Sequence, residues 1–177
     1  MTELTELEQA ALGVVGREGP CSPYRVRKAF LASPTPSWSG SAGTIYPLMR
    51  RLEELGLLVS REVDGDGRAT LHYRLTASGR RAVKRWLRPP LPAAAVGPGP
   101  DPIRTRLQFL GALSDAERRE FLEVVGRQLE QSVEELQSLK RSLEKEGDAL
   151  QVLALRGGLR VARARRDWFR EVRAELG

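Results

Sequence analysis

"SAGTIYPLMRRLEELGLL", residues 41–58, decides the fold. Its later part is amphipathic: Ile45, Leu48, Met49, Leu52 and Leu55 follow helical spacing, and Gly56 comes next, suited to the left-handed conformation that ends helices. Its beginning is written differently. Gly43, Thr44, Tyr46 and Pro47 are weak helix formers, and proline is tolerated near a helix start, so the first turn is expected at Thr44 rather than at Ser41. With about 100° per residue, the side opposite Ile45 and Leu52 carries Gly43, Tyr46, Pro47, Arg50 and Glu54. A small residue, the hydroxyls of Ser41 and Thr44, an aromatic ring and helix-terminal amides suit the backbone of a polyanion.

The surroundings of this helix have the order helix, helix, helix, hairpin, helix. Thr5 and Glu8 have the spacing of a capping box, and Leu4, Leu7, Ala11 and Val14 give the first helix its apolar side before Gly19 and Pro20 end it. Ser22 and Pro23 read as cap and first position of a second helix that buries Val26, Ala29 and Phe30. Beyond Gly56 the period falls to two. "LVSREV" (58–63) and "ATLHYRL" (69–75) read as strands joined by the turn "DGDGR", and Thr76 caps a fourth helix with Val83, Trp86 and Leu87 on its apolar side. This is the order of a winged helix-turn-helix, with the helix of residues 41–58 in the reading position and Arg68 at the tip of the wing.

Charge agrees with that assignment. The formal net charge is +6, and residues 17–88 hold 14 Lys and Arg against 6 Asp and Glu, whereas residues 89–177 hold 15 against 14. The basic excess lies where the reading helix lies. Enzyme chemistry finds little to use: His72 is the only histidine and Cys21 the only cysteine, and neither a phosphate loop nor a dinucleotide fingerprint is present. No catalytic residue, metal or cofactor is expected. Cys21 cannot pair within the chain, the N-terminus lacks the pattern of a secretion signal, and no apolar run has membrane-spanning length, so the expected location is the cytoplasm, with no membrane partner.

"RPPLPAAAVGPGPDP", residues 88–102, contains six prolines and two glycines. It is expected to link two domains: 1–88, the winged helix-turn-helix, and 103–177, which is helical to its end, with 89–102 as linker. In the tail, Leu122, Leu129, Leu136 and Leu143 recur every seventh residue, with Val125 and Leu139 at companion positions, which is coiled-coil spacing. A second long helix carries Leu153, Val161, Trp168 and Val172. Residues 115–146 carry 9 acidic and 6 basic side chains, and residues 148–177 carry 4 and 7, so the two helices should attract. An intramolecular hairpin would bury part of the seam, and a second copy is the economical cover for the rest. Gly157 and Gly158 each cost roughly 1 kcal/mol against alanine and are expected to mark a kink or a close crossing.

"SAGTIYPLMRRLEELGLL", "YRLTASGRR" (73–81), "SPYRVRKAF" (22–30) and Trp38 together resemble the PadR family of bacterial transcriptional regulators, with a departure at Pro23, where that family commonly has glycine. The resemblance covers residues 4–88 strongly and the tail loosely. It implies a mainly helical protein with a small hairpin wing and a helical dimerisation domain, acting at the bacterial nucleoid as a dimeric repressor released by a small molecule. The DNA contacts expected from the residues and the resemblance are Tyr24, Ser41, Gly43, Thr44, Tyr46, Pro47, Arg50, Arg51 and Arg68, on an inverted-repeat operator of double-stranded DNA. The expected homodimer contacts are Leu122, Val125, Leu129, Leu136, Leu139, Leu143, Leu153, Val161 and Val172. A small aromatic or amphipathic effector is expected beside Trp168 and Phe169, in a crevice between the winged domain and the tail. The competing reading is a winged-helix adaptor that binds protein and not DNA; the local basic excess with Tyr46, Arg50 and Arg68 favours DNA.

Overall fold

The computed structural model describes residues 3–31, 33, 41–65, 68–146 and 149–177. Trp38 and the side chains at 64, 65, 68 and 146 lie outside the described residues. The chain divides into two compact units, Met1–Pro92 and Ala93–Gly177.

The first unit contains α1 (Glu6–Glu18), α2 (Pro23–Leu31), α3 (Ala42–Glu54), β1 (Leu58–Gly65), β2 (Arg68–Leu75) and α4 (Ala77–Leu87). The Thr5–Glu8 capping box forms in both directions: the Thr5 amide donates to Glu8 Oε2 at 2.8 Å and the Glu8 amide to Thr5 Oγ1 at 3.2 Å. Leu12, Val15, Val26, Phe30, Ile45, Met49, Leu52 and Leu58 are at most 2% exposed and form one core under all the elements. Each large side chain buried to this degree contributes ~1.5–3 kcal/mol. The strands pair antiparallel from Leu58 opposite Leu75 to Gly65 opposite Arg68, so the ladder extends further towards the tip than the turn-like "DGDGR" suggests. Cys21 adds a bridge to Tyr73 at the base of the hairpin, each amide donating to the other's carbonyl at 3.1 and 2.9 Å.

Two expectations about this unit are corrected. Helix α3 starts at Ala42, with Ser41 as its cap and Pro47 inside it, because the Ser41 hydroxyl accepts from the Thr44 amide at 3.2 Å and satisfies the first turn where the cap falls. The proline then removes only the donor that the Gly43 carbonyl would have met. Leu87 is 65% exposed and not part of the core, because α4 turns Gly79 and Ala82 inward with Val83 and Trp86 beside them.

The second unit holds α5 (Ala93–Val96), α6 (Pro102–Leu107), a 3-10 turn (Leu110–Ala112), α7 (Asp115–Glu146) and α8 (Ala149–Leu176). Helices α7 and α8 form an antiparallel hairpin. Leu122 and Leu129 pack with Phe169 at one end, and Leu143 with Val152 and Leu155 at the other. Glu130 on α7 accepts from Arg170 on α8 at 2.6 Å, and Glu144 pairs with Arg156 at 3.4 Å, so opposite charges do meet across this hairpin. Helix α8 runs as one helix through Gly157 and Gly158, with Leu155 and Leu159 buried before and after the pair. Among the described residues no helix is long and apolar enough to cross a membrane.

Candidate nucleic-acid interface

Helix α3 buries Ile45, Leu48, Met49 and Leu52 and leaves Gly43, Tyr46, Pro47, Arg50 and Glu54 exposed. The outer stripe is the one the sequence periodicity gives. At its N-terminal end the Ser41 and Thr44 hydroxyls stand 2.7 Å apart, and the amides of Ala42 and Gly43 lie ahead of the helical hydrogen-bond ladder. Gly43 answers to no internal need. A Cβ built there would have nothing within 4 Å, and its φ is not positive, so neither packing nor backbone conformation requires glycine. Tyr46 keeps 42% of its surface exposed although it neighbours buried Ile45.

The adjacent arginines of α3 separate. Arg50 forms no ion pair among the described residues and stands on the exposed stripe. Arg51 is tied to α1: its Nε donates to Glu8 Oε1 at 2.7 Å, and Glu8 is 5% exposed. Arg51 nevertheless remains about half exposed, so its ion pair with Glu8 leaves part of the guanidinium side chain at the surface beside Arg50. Burial alone would raise the Glu8 pKa, but the Thr5 amide, the Arg51 guanidinium and the Thr5 hydroxyl outweigh it and hold the carboxyl below its ordinary value. Glu53 anchors the other end of α3, accepting from the Ser60 amide of β1 at 2.8 Å. Glu53 escaped the sequence reading, and so did the second role of Glu8. Glu8 was legible only as a cap, because its second partner lies 43 residues away.

The wing is joined to α3 by close backbone packing. Gly56, at φ 68°, closes α3, with the Gly56 amide donating to the Glu53 carbonyl and the Leu57 amide to the Leu52 carbonyl. Thr76 caps α4 and also donates to the Gly56 carbonyl at 2.7 Å, while a Cβ on Gly79 would lie 2.1 Å from the Leu57 carbonyl oxygen. The "LTASG" segment is therefore a clasp between the wing exit and the α3 turn. Tyr24 is 58% exposed at the start of α2, and Arg68 opens β2 at the wing tip, its side chain outside the described residues.

In the second unit the expected contact residues also divide. Leu122, Leu129 and Leu143 are buried within the chain, with Val125, Leu136, Leu139 and Val172 half-buried beside them, so most of the heptad seam is covered by the chain's own α8. Leu153 and Val161 are 59% and 68% exposed. Phe169 is buried between Phe121 and Trp168 in edge-on ring contacts, which removes it from any ligand surface. Trp168 lines a cleft of about 590 Å³ together with Val161, Ala164, Pro98 and Pro100. The polar wall of that cleft is Asp101, which accepts from Arg165 at 2.5 Å and from the Ile103 amide at 2.9 Å.

Comparison with known proteins gives matches to both units. Residues 11–85 match the Transcriptional regulator PadR-like family, and residues 101–177 match the Virulence activator alpha C-term family. A transcriptional regulator of Mycobacterium tuberculosis is 54% identical over 43 residues, which is 24% of this chain and 40% of that protein. The negative transcriptional regulator PadR of Bacillus subtilis is 28% identical over 142 residues, 78% of this chain and 74% of that protein. The fold is shared with the structure of Bacillus subtilis PadR in complex with operator DNA, at a TM-score of 0.83 and 22% identity over 99% of this chain and 100% of that one. For the same relative in complex with p-coumaric acid the TM-score is 0.73, at 23% identity over 96% and 98% of the two chains. The virulence activator AphA of Vibrio cholerae gives 0.74, at 23% identity over 97% and 98%.

Proposed function

We propose that this chain, whose residues 11–85 match the PadR-like family of transcriptional regulators, is a dimeric repressor that reads duplex DNA with α3 and releases it when a small molecule binds. The observation that carries the reading is the outer stripe of α3, where Gly43 has no internal reason to be glycine and Tyr46 and Arg50 stand exposed beside a capped helix N-terminus. A helix N-terminus lowered into the major groove brings amides and the hydroxyls of Ser41 and Thr44 to phosphates, and Tyr46 and Arg50 to base edges. Pro47 shapes the same face. Tyr24 and Arg68 add backbone contacts from α2 and the wing. Arg51, half exposed beside Arg50, adds a phosphate contact while its Nε stays paired with Glu8.

Two copies place two reading helices on an inverted repeat whose half-sites lie ~34–36 Å apart or a multiple of that. The Bacillus relative is a negative regulator solved with operator DNA and with p-coumaric acid, which supports repression and a small aromatic or amphipathic effector here. The cleft beside Trp168 is the place proposed for it, being largely apolar with one ion pair in its wall. The cytoplasmic nucleoid is the proposed site of action.

Electrophoretic mobility on duplexes enriched from a random pool tests the reading. Wild type should select one inverted repeat, and Tyr46→Ala and Arg50→Ala should each weaken that complex by ~10-fold or more. Full affinity in both variants would remove α3 from the interface.

A further inference from the structure

The 14 cations and 6 acids of residues 17–88 are unevenly placed. On α3, Arg50 and Arg51 are balanced by Glu53 and Glu54, and in the hairpin Arg61, Arg68 and Arg74 are balanced by Glu62, Asp64 and Asp66. Residues 77–88, which are α4 and its closing residue, hold Arg80, Arg81, Lys84, Arg85 and Arg88 and no acid. Among the described residues Arg17, Arg25 and Arg51 pair with carboxylates, and none of these five does. All five are exposed. Arg80 and Arg81 bond to neutral oxygens, the Leu75 carbonyl at 3.0 Å and the Ser78 hydroxyl at 2.9 Å.

The five occupy about 140° of arc on the side of α4 opposite Ala82 and Trp86. Arg80 and Lys84, Arg81 and Arg85, and Lys84 and Arg88 are each four apart, so like charges repel along the whole helix. Lys84 and Arg85 suit the negative end of the helix dipole, but Arg80 and Arg81 stand nearer its positive end. Nothing among the described residues of the unit offsets that repulsion.

We infer that this stripe of α4 holds the phosphate backbone of a second DNA duplex, apart from the one read by α3. The inference rests on the reading of α3 above and adds a surface to it. Geometry separates the two. The Trp86 indole donates to Glu6 at 3.1 Å and its ring lies 3.6 Å from where a Gly13 Cβ would stand, whereas Arg51 of α3 reaches Glu8. Glu6 and Gly13 lie about 140–160° round α1 from Glu8, so α3 and α4 flank α1 on nearly opposite sides and their exposed stripes point apart. A straight duplex seated on α3 does not reach α4. Chemistry selects phosphate: four of the five cations are arginine, whose planar fork matches phosphate oxygens. Ala77 and Leu87 are the apolar side chains on or beside the stripe, with no aromatic among them, whereas a protein partner would bury an apolar or aromatic centre. Arg81 to Arg88 spans ~10 Å of helix, the axial rise of about three nucleotides on one strand.

Capture of a second duplex by the full-length protein tests the stripe. Beads carrying an enriched operator with both half-sites occupy both reading helices of a dimer, and a labelled random duplex is then added. Wild type should retain the label, and Arg81→Gln, Lys84→Gln and Arg88→Gln together should cut retention ~10-fold or more at unchanged operator affinity. Equal retention in the triple variant, or none by wild type held on the operator, overturns the inference and leaves the reading of α3 standing. A parallel loss of operator affinity and retention assigns the stripe to the operator and overturns it as a second site. Polyglutamate that displaces the label at a lower charge concentration than unlabelled duplex overturns the choice of DNA. A wild type that selects no operator overturns both readings.

Discussion

Gly79 and Gly43 use the same residue type for opposite reasons. At Gly79 the Leu57 carbonyl occupies the space a Cβ would need, at 2.1 Å, and the obstruction is backbone. Gly79→Ala should therefore destabilise the first unit by about 3 kcal/mol or more, read as a lowered thermal midpoint. At Gly43 the space is open, so Gly43→Ala should leave the midpoint unchanged or raise stability by up to ~1 kcal/mol, while operator affinity should fall because the new methyl stands on the exposed stripe proposed to meet DNA. Equal operator affinity in Gly43→Ala would show that no close approach occurs there. Glu8 adds a pH dependence. Its folded pKa lies below the ordinary 4.5, so its stabilising contribution is fully present above pH ~4.5 and is lost as pH falls through the folded value. Acid titration of Glu8→Gln, followed by circular dichroism, should show a shallower loss of stability below that pH than wild type; an identical acid limb would separate Glu8 from acid unfolding.

At the scale of elements, periodicity was legible and long-range partners were not. The buried and exposed faces of α3 follow from spacing, because Ile45, Leu48, Met49 and Leu52 have to share one side of the helix whatever lies beneath. The start of α3 did not follow, because the Ser41 cap and the proline make competing local demands and the hydroxyl bond to Thr44 settles the outcome. The partner of Arg51 was not legible for another reason: nothing within α3 distinguishes it from Arg50, and only Glu8 on α1 does so. Phe169 looked like ligand surface until α7 covered it. The two arginines give a paired test. Arg50→Ala should weaken operator binding with the thermal midpoint unchanged, whereas Arg51→Ala, which strips the buried Glu8 of its charge partner, should lose ~1–3 kcal/mol of stability. The opposite pattern in binding and melting would exchange their roles.

For the molecule as a whole, the division of labour between units sets the scale of the effects. The first unit has a continuous core of its own, so residues 1–92 should fold by circular dichroism. Without the tail they should bind operator weakly as a monomer, since one half-site then acts alone. Phosphate contacts by full-length protein should give a log–log salt slope that becomes shallower by ~1 for each contacting cation removed, on operator and random DNA alike. The tail's heptad was legible as spacing, but not which helix would fill it, because an internal and an external partner satisfy the same repeat. In the proposed function, the exposed face of α3 confers sequence preference. The most direct measurement is fluorescence anisotropy with the duplex enriched from a random pool and a scrambled duplex of equal length, for wild type and the Tyr46→Ala, Arg50→Ala double variant. Wild type should prefer the enriched duplex by ~10³ or more at physiological salt, and the double variant should lose most of that preference with unchanged melting. Equal wild-type affinity for the two duplexes, or an undiminished preference in the double variant, would contradict it.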